Sequence, residues 1–250
     1  MGLIPILKKK LYSLKYLKKK ENSIEGVSFL ITGASSGIGL ALTKKISRNN
    51  KVIAIYNSNR KNLEKINSNN IIKVNCDLGN FLDYGELTKV LTQHKIDIII
   101  NCAGQFGSNN QLIENIDFDS LIKIFKINSI SLLKILQLLS KNDGLKCINK
   151  IINISSDAGS IKLNNQGNAY VYRITKTSLN CISKNLSIDL NKRYNSEIIT
   201  VDPGNVQTGM NTKGLLDPNK CAEYIIDIIC DKKNNLNGKF IDLFKKEIPW

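Results

Sequence analysis

The sequence predicts a doubly wound α/β fold, one domain built on a seven-stranded parallel sheet with helices on both faces. Three observations predict it. From residue 26 onward, short runs rich in Ile and Val alternate with longer stretches of helical periodicity. The runs are unbroken rather than alternately apolar and polar, as strands covered on both faces are. The first run passes directly into a glycine-rich turn that opens a helix.

Taken in order, the strands fall at 27–32 (VSFLIT), 51–56 (KVIAIY), 71–75 (IIKVN), 96–101 (IDIIIN), 148–155 (INKIINIS), 197–202 (EIITVD) and 238–242 (GKFID). Helical stretches lie between them near 38–49, 60–67, 82–94, 117–141, 170–193 and 218–231. Each strand is followed by a helix long enough to cross back over the sheet, which makes the connections right-handed and the pairing parallel. There is no internal repeat and no low-complexity linker, so residues 26–250 read as one domain behind an extension of residues 1–25.

In that extension Leu3, Ile4, Leu7, Leu11, Leu14 and Leu17 recur at helical spacing, and Lys8, Lys9, Lys10, Lys15, Lys18, Lys19 and Lys20 occupy the other positions. This is the outline of a basic amphipathic helix. It lacks the unbroken apolar length of a membrane span and the cleavage site of a secretory signal. Two readings stay open: peripheral contact of residues 1–24 with an anionic membrane or a partner, or a frayed tail.

That extension carries much of the formal net charge of +15. Four arginines stand against 32 lysines, whereas nucleic-acid readers lean on arginine for bidentate contacts. Nucleic-acid binding is therefore not expected. The six cysteines, Cys76, Cys102, Cys147, Cys181, Cys221 and Cys230, have no paired spacing and fall mainly in apolar runs. They point to a reducing, cytoplasmic setting rather than a disulfide framework. With His94 as the single histidine, neither a zinc site nor a Ser-His-Asp triad is expected.

The turn reads Thr32-Gly33-Ala34-Ser35-Ser36-Gly37-Ile38-Gly39. Gly33 permits the tight turn, Gly37 lets backbone approach a pyrophosphate, and Gly39 allows close packing of the helix that follows. The free N–H groups at that helix start favour phosphate, so Ser35, Ser36 and Ile38 fall with the glycines in a candidate dinucleotide cradle. At the end of the second strand the chain reads Tyr56-Asn57-Ser58-Asn59-Arg60-Lys61, with no carboxylate for the ribose hydroxyls of NAD. Arg60 and Lys61 suit a 2′-phosphate, which favours NADP over NAD; the alternative is that both simply begin a solvated helix.

A Tyr followed four positions later by Lys carries little weight alone. Eight tyrosines and 32 lysines give about one such pair by chance, and Tyr16/Lys20 fits that description. Tyr172 and Lys176 differ because they open a helix whose Leu179, Ile182, Leu186 and Leu190 mark a buried face. The spacing sets the two one turn apart on one side. Hydride addition to a carbonyl creates an alkoxide that needs a proton, and a cation near a phenol brings the phenol toward the working range. Tyr170 has Ile174 at the matching position and reads as a wall of the site.

The spacing TGxxxGxG, together with the Tyr-x-x-x-Lys pair, resembles the short-chain dehydrogenase/reductase family, whose fold is a single Rossmann-type domain. The resemblance implies several further roles. Asn101-Cys102-Ala103-Gly104 is similar to the family's NNAG element, with Cys102 in place of the second Asn, and places Asn101, Ala103 and Gly104 at the cofactor. Cys76-Asp77-Leu78 resembles the element that meets adenine, implying Asp77 and Leu78. In Asn153-Ile154-Ser155-Ser156-Asp157-Ala158-Gly159 the family's catalytic serine corresponds to Ser156, with Ser155 as runner-up. Asn128 matches the helical Asn of the family, which links the lysine to a water chain; otherwise it bonds backbone in a bent helix. Pro203-Gly204-Asn205-Val206-Gln207-Thr208 resembles the PGxVxT turn, whose Pro203, Gly204, Val206 and Thr208 positions meet the nicotinamide carboxamide. Lys176 also holds the nicotinamide ribose, with Tyr172 beside it.

The interval from Ser156 to Tyr172, longer than in the commonest members, and the closing Ile248-Pro249-Trp250 are similar to the sniffer-type carbonyl reductases and C-factor proteins. The resemblance implies an NAD(P)-dependent oxidoreductase that reduces a small carbonyl to an alcohol or runs the reverse, as a homodimer or homotetramer. A cofactor-binding signalling or scaffold protein with little turnover is the alternative. A sugar-nucleotide epimerase is disfavoured, because about forty residues after Thr208 leave little room for a nucleotide-sugar domain.

Overall fold

A computed structural model describes residues 24–109 and 111–250. Seven strands form one all-parallel sheet: β1 (Ser28–Thr32), β2 (Lys51–Tyr56), β3 (Ile71–Asn75), β4 (Ile98–Asn101), β5 (Lys150–Ile154), β6 (Glu197–Asp202) and β7 (Phe240–Asp242), in the spatial order β3-β2-β1-β4-β5-β6-β7. Register pairs such as Phe29 with Val52 and with Ile98 lock the centre of the sheet, where β-branched side chains face both layers. The order reverses between β1 and β4. In such sheets the crevice beyond the carboxyl ends of the strands at that reversal is where ligands bind.

Alternate residues of each strand feed two separate cores, as a period of two requires. Phe29, Ile31, Val52 and Ala54 pack beneath α1 (Gly37–Ile46) and α7 (Pro218–Ile229), meeting Leu42, Ile46, Tyr224, Ile225 and Ile228. Leu30, Ile53, Ile55 and Ile99 face the other layer. There they meet α3 (Gly85–Gln93), α5 (Ser131–Ser140) and α6 (Tyr170–Tyr194) through Leu87, Leu132, Ile135, Leu179 and Leu186. A short α2 (Arg60–Glu64) contributes Leu63 to the first core.

The expected helix over 117–141 is not uniform. It begins as α4 (Phe118–Phe125), capped by Asp117 accepting from the Ser120 N–H, widens into a π turn over Lys126–Ile130 and continues as α5. The 60–67 stretch is helical only to Glu64, and 82–94 divides into a 3-10 turn (Phe81–Asp83) and α3. Asn168 and Ala169 both adopt left-handed backbone immediately before α6. An alanine there is strained by about 1–2 kcal/mol, and the tight reversal sets where Tyr170 and Tyr172 emerge. Residues 1–23 of the expected amphipathic extension 1–25 lie outside the described residues. No described helix is long and apolar enough to cross a membrane.

Candidate active site

A cavity of about 720 Å³ opens at the carboxyl edge of the sheet. Among the predicted positions, Gly33, Ser36, Gly37, Ile38, Ala103, Gly104, Ser156, Tyr172, Lys176, Pro203, Gly204, Val206 and Thr208 all line it. A smaller adjoining hollow of about 140 Å³ is bounded by Ser35, Ser36, Asp77, Leu78 and Gly104 together with Tyr56, Asn57 and Ser58. Segments as far apart in the chain as Gly33 and Thr208 thus converge at the point of strand reversal.

The cradle depends on missing side chains. A Cβ on Gly39 would sit 2.3 Å from the Gly33 carbonyl oxygen, and one on Gly33, itself at φ +66, would sit 2.9 Å from the Ala103 Cα. Backbone from β1, α1 and the β4 end therefore meets at contact distance, leaving the first amides of α1 facing the hollow. That geometry and those donors fit a dinucleotide pyrophosphate.

Asn101 does not line either hollow. It belongs to a buried polar chain that ties the strand ends together: Thr32 Oγ1 donates to Asn101 Oδ1 (3.1 Å), Asn101 Nδ2 to Asn153 Oδ1 (3.2 Å), and Asn153 Nδ2 to Ser183 Oγ (2.9 Å). Thr32 Oγ1 also accepts from the N–H groups of Cys102 and Ala103, both at 2.9 Å. Since buried polar groups are costly unless paired, this chain fixes the turn after β4. Arg60 also stays outside both hollows: its Nε donates to Glu64 Oε1 at 2.8 Å on the exposed face of α2.

Lys176 is only 4% exposed and its ammonium donates to the Ile154 carbonyl (2.9 Å). Its nitrogen lies 5.7 Å from the centre of the Tyr172 ring. Burial dominates both groups. It pushes the Tyr172 phenol up to about 12 against a hydrogen bond with Ser156, and draws the Lys176 ammonium down to about 8. The lowering of the phenol expected from Lys176 is outweighed by desolvation of the phenolate. The neutral phenol that results is a proton donor rather than a base near neutrality.

The two serine candidates separate. Ser155 is 2% exposed and donates to Asn180 Oδ1 (2.6 Å), bracing β5 on α6. Ser156 accepts from the Ala158 N–H (3.1 Å) and reaches the Tyr172 phenol.

Asn128 is fully buried at the middle of the π turn. Its Oδ1 accepts from the Gln105 N–H (2.8 Å), while its Nδ2 donates to the Gln105 carbonyl and to Thr175 Oγ1, both at 2.9 Å. The widened turn gives the amide room to face this loop. A Cβ on Gly104 would lie 3.5 Å from both Asn128 Oδ1 and Lys176 Nζ, so the amide backs the wall beside the lysine. Asn128→Ala strands the Gln105 groups and should cost about 2–3 kcal/mol in urea unfolding; an unchanged midpoint would contradict this role.

Several residues of the site escape sequence reasoning. The Phe106 ring lies 5.0 Å from that of Tyr172, and Gln111 pins the loop by accepting from the Tyr172 N–H (3.1 Å) and donating to the Phe106 carbonyl (2.8 Å). Met210 adds an apolar edge to the cavity. Asp202, at the end of β6, lines the cavity beside Pro203; burial and the nearby Asp157 raise its carboxyl to about 6. The placement of the half-buried Asp202 with Tyr172 and Lys176 depends on the register of β5, β6 and β7, which no local motif reveals.

A sequence model of the short chain dehydrogenase family matches residues 28–218. The C-signal of Myxococcus xanthus is 26% identical over 156 residues, spanning 62% of this chain and 93% of that protein. An uncharacterized oxidoreductase of Staphylococcus epidermidis is 30% identical over 192 residues, spanning 72% of this chain and 78% of the relative. Among solved structures, the carbonyl reductase Sniffer of D. melanogaster superposes with a TM-score of 0.80 at 24% identity, over 90% of this chain and 100% of that one. The NADPH-bound carbonyl reductase from chicken fatty liver gives 0.78 at 24% identity, over 91% and 100%. At these identities the two structures show a shared fold.

Proposed function

The chain belongs to the short chain dehydrogenase family, and from that premise we propose that it is an NADP-dependent oxidoreductase reducing a small carbonyl compound to its alcohol. The observation that carries the proposal is the convergence of Ser156, Tyr172 and Lys176 on one wall of the cavity whose other end is the glycine cradle. The NADPH-bound reductase with the same fold supports NADP as the cofactor. Residues Gly33 to Gly39 hold the pyrophosphate in this proposal, Asp77 and Leu78 the adenine end, and Pro203, Gly204, Val206 and Thr208 the nicotinamide end. When bound, the nicotinamide supplies the hydride.

The protein's own groups do the rest. Ser156 donates a hydrogen bond to the substrate oxygen and orients it toward Tyr172. The Tyr172 phenol gives up its proton to that oxygen as negative charge develops there. Lys176 supplies positive charge beside the phenol, which stabilises the phenolate left behind, and a donor for the ribose. Asn128 is a positioning residue, holding the Gln105 loop and the Thr175 turn against the lysine. Phe106, Met210 and Val206 give the substrate end an apolar lining, which suits an uncharged carbonyl compound.

Two outcomes follow. Ser156→Ala should lower kcat by about 10²-fold while the folded protein keeps its unfolding midpoint, whereas Ser155→Ala should chiefly lower stability. Equal kinetic losses in both would remove the assignment to Ser156. The rate of reduction should hold level through neutral pH and fall above about 8, since the ammonium is present below that value and lost above it. A profile that instead rises through pH 8 would contradict the role given to Lys176.

The basic test is consumption of NADPH against a panel of aldehydes, diketones and quinones. A second reading, a cofactor-dependent signalling protein, is supported by the likeness to C-signal; tight NADP binding without turnover across the panel would favour it. The six cysteines are free thiols, which suits a reducing compartment such as the cytoplasm. A homodimer or homotetramer would cover the exposed Phe118 and Ile122 of α4 and Ile188 of α6.

A further inference from the structure

Among the described residues lining the large cavity, Asp202 is the single acid and Lys176 the single base. Their surroundings differ. The Lys176 ammonium is committed to the Ile154 carbonyl, whereas the Asp202 carboxylate accepts backbone N–H groups from Gly204 (3.1 Å) and Asp157 and forms no ion pair among the described residues. It stands at the carboxyl end of β6, in register with Asp242 of β7, directly before the Pro203-Gly204 turn. Backbone hydrogen bonds therefore hold a carboxylate at the end of the cavity shared with Tyr172 and Lys176. The two redox forms of a nicotinamide dinucleotide differ at that end by one charge: the oxidised ring is a cation and the reduced ring is neutral, while the phosphates are common to both.

We propose that Asp202 makes the cavity discriminate between the redox states of its cofactor, holding the cationic oxidised nicotinamide more tightly than the neutral reduced one. This rests on the assignment of the cavity as the nicotinamide site. A carboxylate half-buried in the cavity wall couples to a nearby cation more strongly than one in water. Favouring the oxidised ring on the protein favours the direction in which the ring becomes cationic, which is carbonyl reduction. Asp202 thus shifts the equilibrium between the enzyme-bound forms and leaves the overall equilibrium in solution unchanged.

The groups facing Asp202 are Asp157 after β5, Tyr172 and Lys176 on α6, Cys221 on α7 and Asp242 on β7. The acids among them hold the Asp202 carboxyl up, and Lys176 opposes a cation in the pocket. The preference for the oxidised cofactor is present where Asp202 is ionised and fades as the pH falls through about 6. Lys176 gains its proton at higher pH, through about 8, and acts in the same sense, so the contribution of Asp202 is the part of the pH response that a neutral side chain removes.

The test is calorimetric titration of the full chain with NADP+ and with NADPH, at about pH 7.5 and about pH 5.5, for the native protein, Asp202→Asn and Asp202→Glu. The expected result is that Asp202→Asn raises the ratio of the NADP+ to the NADPH dissociation constant by about tenfold, that Asp202→Glu restores it, and that the pH response flattens in the Asn variant. Should Asp202→Asn fail to fold, the native protein alone must still lose preference for NADP+ at the lower pH. If both forms bind and the ratio stays within about twofold across variants and pH, the inference is overturned and the proposed reductase stands. If neither form binds, the assignment of the cavity falls and the inference with it.

Discussion

Replacing Tyr172 by Phe should lower the rate of carbonyl reduction by about 10²–10⁴-fold with little change in NADPH affinity. The ring of Tyr172 packs against Phe106, with centroids 5.0 Å apart, and phenylalanine keeps that contact and the helix start. The structural cost is small because the hydroxyl faces the cavity and Ser156, so no backbone group loses its partner. What disappears is the one phenol set beside Ser156 and Lys176. Burial holds its pKa at about 12, so it keeps its proton through neutrality and is lost only as the substrate oxygen gains charge. Rates measured under saturating NADPH, with cofactor affinity measured separately, separate this from a binding defect. A Phe variant that turned over at the native rate would remove the acid.

Gly39→Ala should abolish saturable cofactor binding and destabilise the fold together. The added carbon would sit 2.3 Å from the Gly33 carbonyl oxygen and 2.9 Å from its carbon, both backbone atoms at the mouth of the turn. No side-chain rotation relieves the clash, so α1 must move away from β1. That shift opens the contact between Leu42 and the strand core and carries the first amides of α1 away from the phosphate position. Overpacking of this kind costs about 3 kcal/mol, which lowers the melting temperature by about 5–10 °C in a domain of this size. Gly85→Ala is the control, since a Cβ there meets nothing within 4 Å. Native stability and affinity in Gly39→Ala would contradict the close approach of α1 to β1.

Much of the fold was legible because its signals are local. Each strand declares itself by a run such as Ile98-Ile99-Ile100 buried on both faces, and the glycine turn by a spacing that follows β1 without a break. Tyr172 and Lys176 were legible because four residues is one helical turn. What stayed hidden depends on elements distant in sequence. The Thr32–Asn101–Asn153 chain exists only once β4 and β5 are in register, so Asn101 read as a cofactor residue rather than as a strut. The π turn at Asn128 has no signature in a helix rich in Leu and Ile, and it decides where that amide points. The direction of the Tyr172 shift was misjudged because sequence gives the proximity of a cation but not the burial that outweighs it. Gln111, 61 positions before Tyr172, and Asp202 carry no motif of their own.

In the proposed reductase the glycine cradle and the Tyr172 wall belong to a single nicotinamide pocket. Titration of the purified chain with NADPH, followed by mixing the complex with a carbonyl panel and recording loss of the reduced-nicotinamide absorbance, tests it most directly. Saturable binding at one site and turnover of at least one uncharged carbonyl are predicted. Absence of binding at millimolar NADPH and NADH would contradict it.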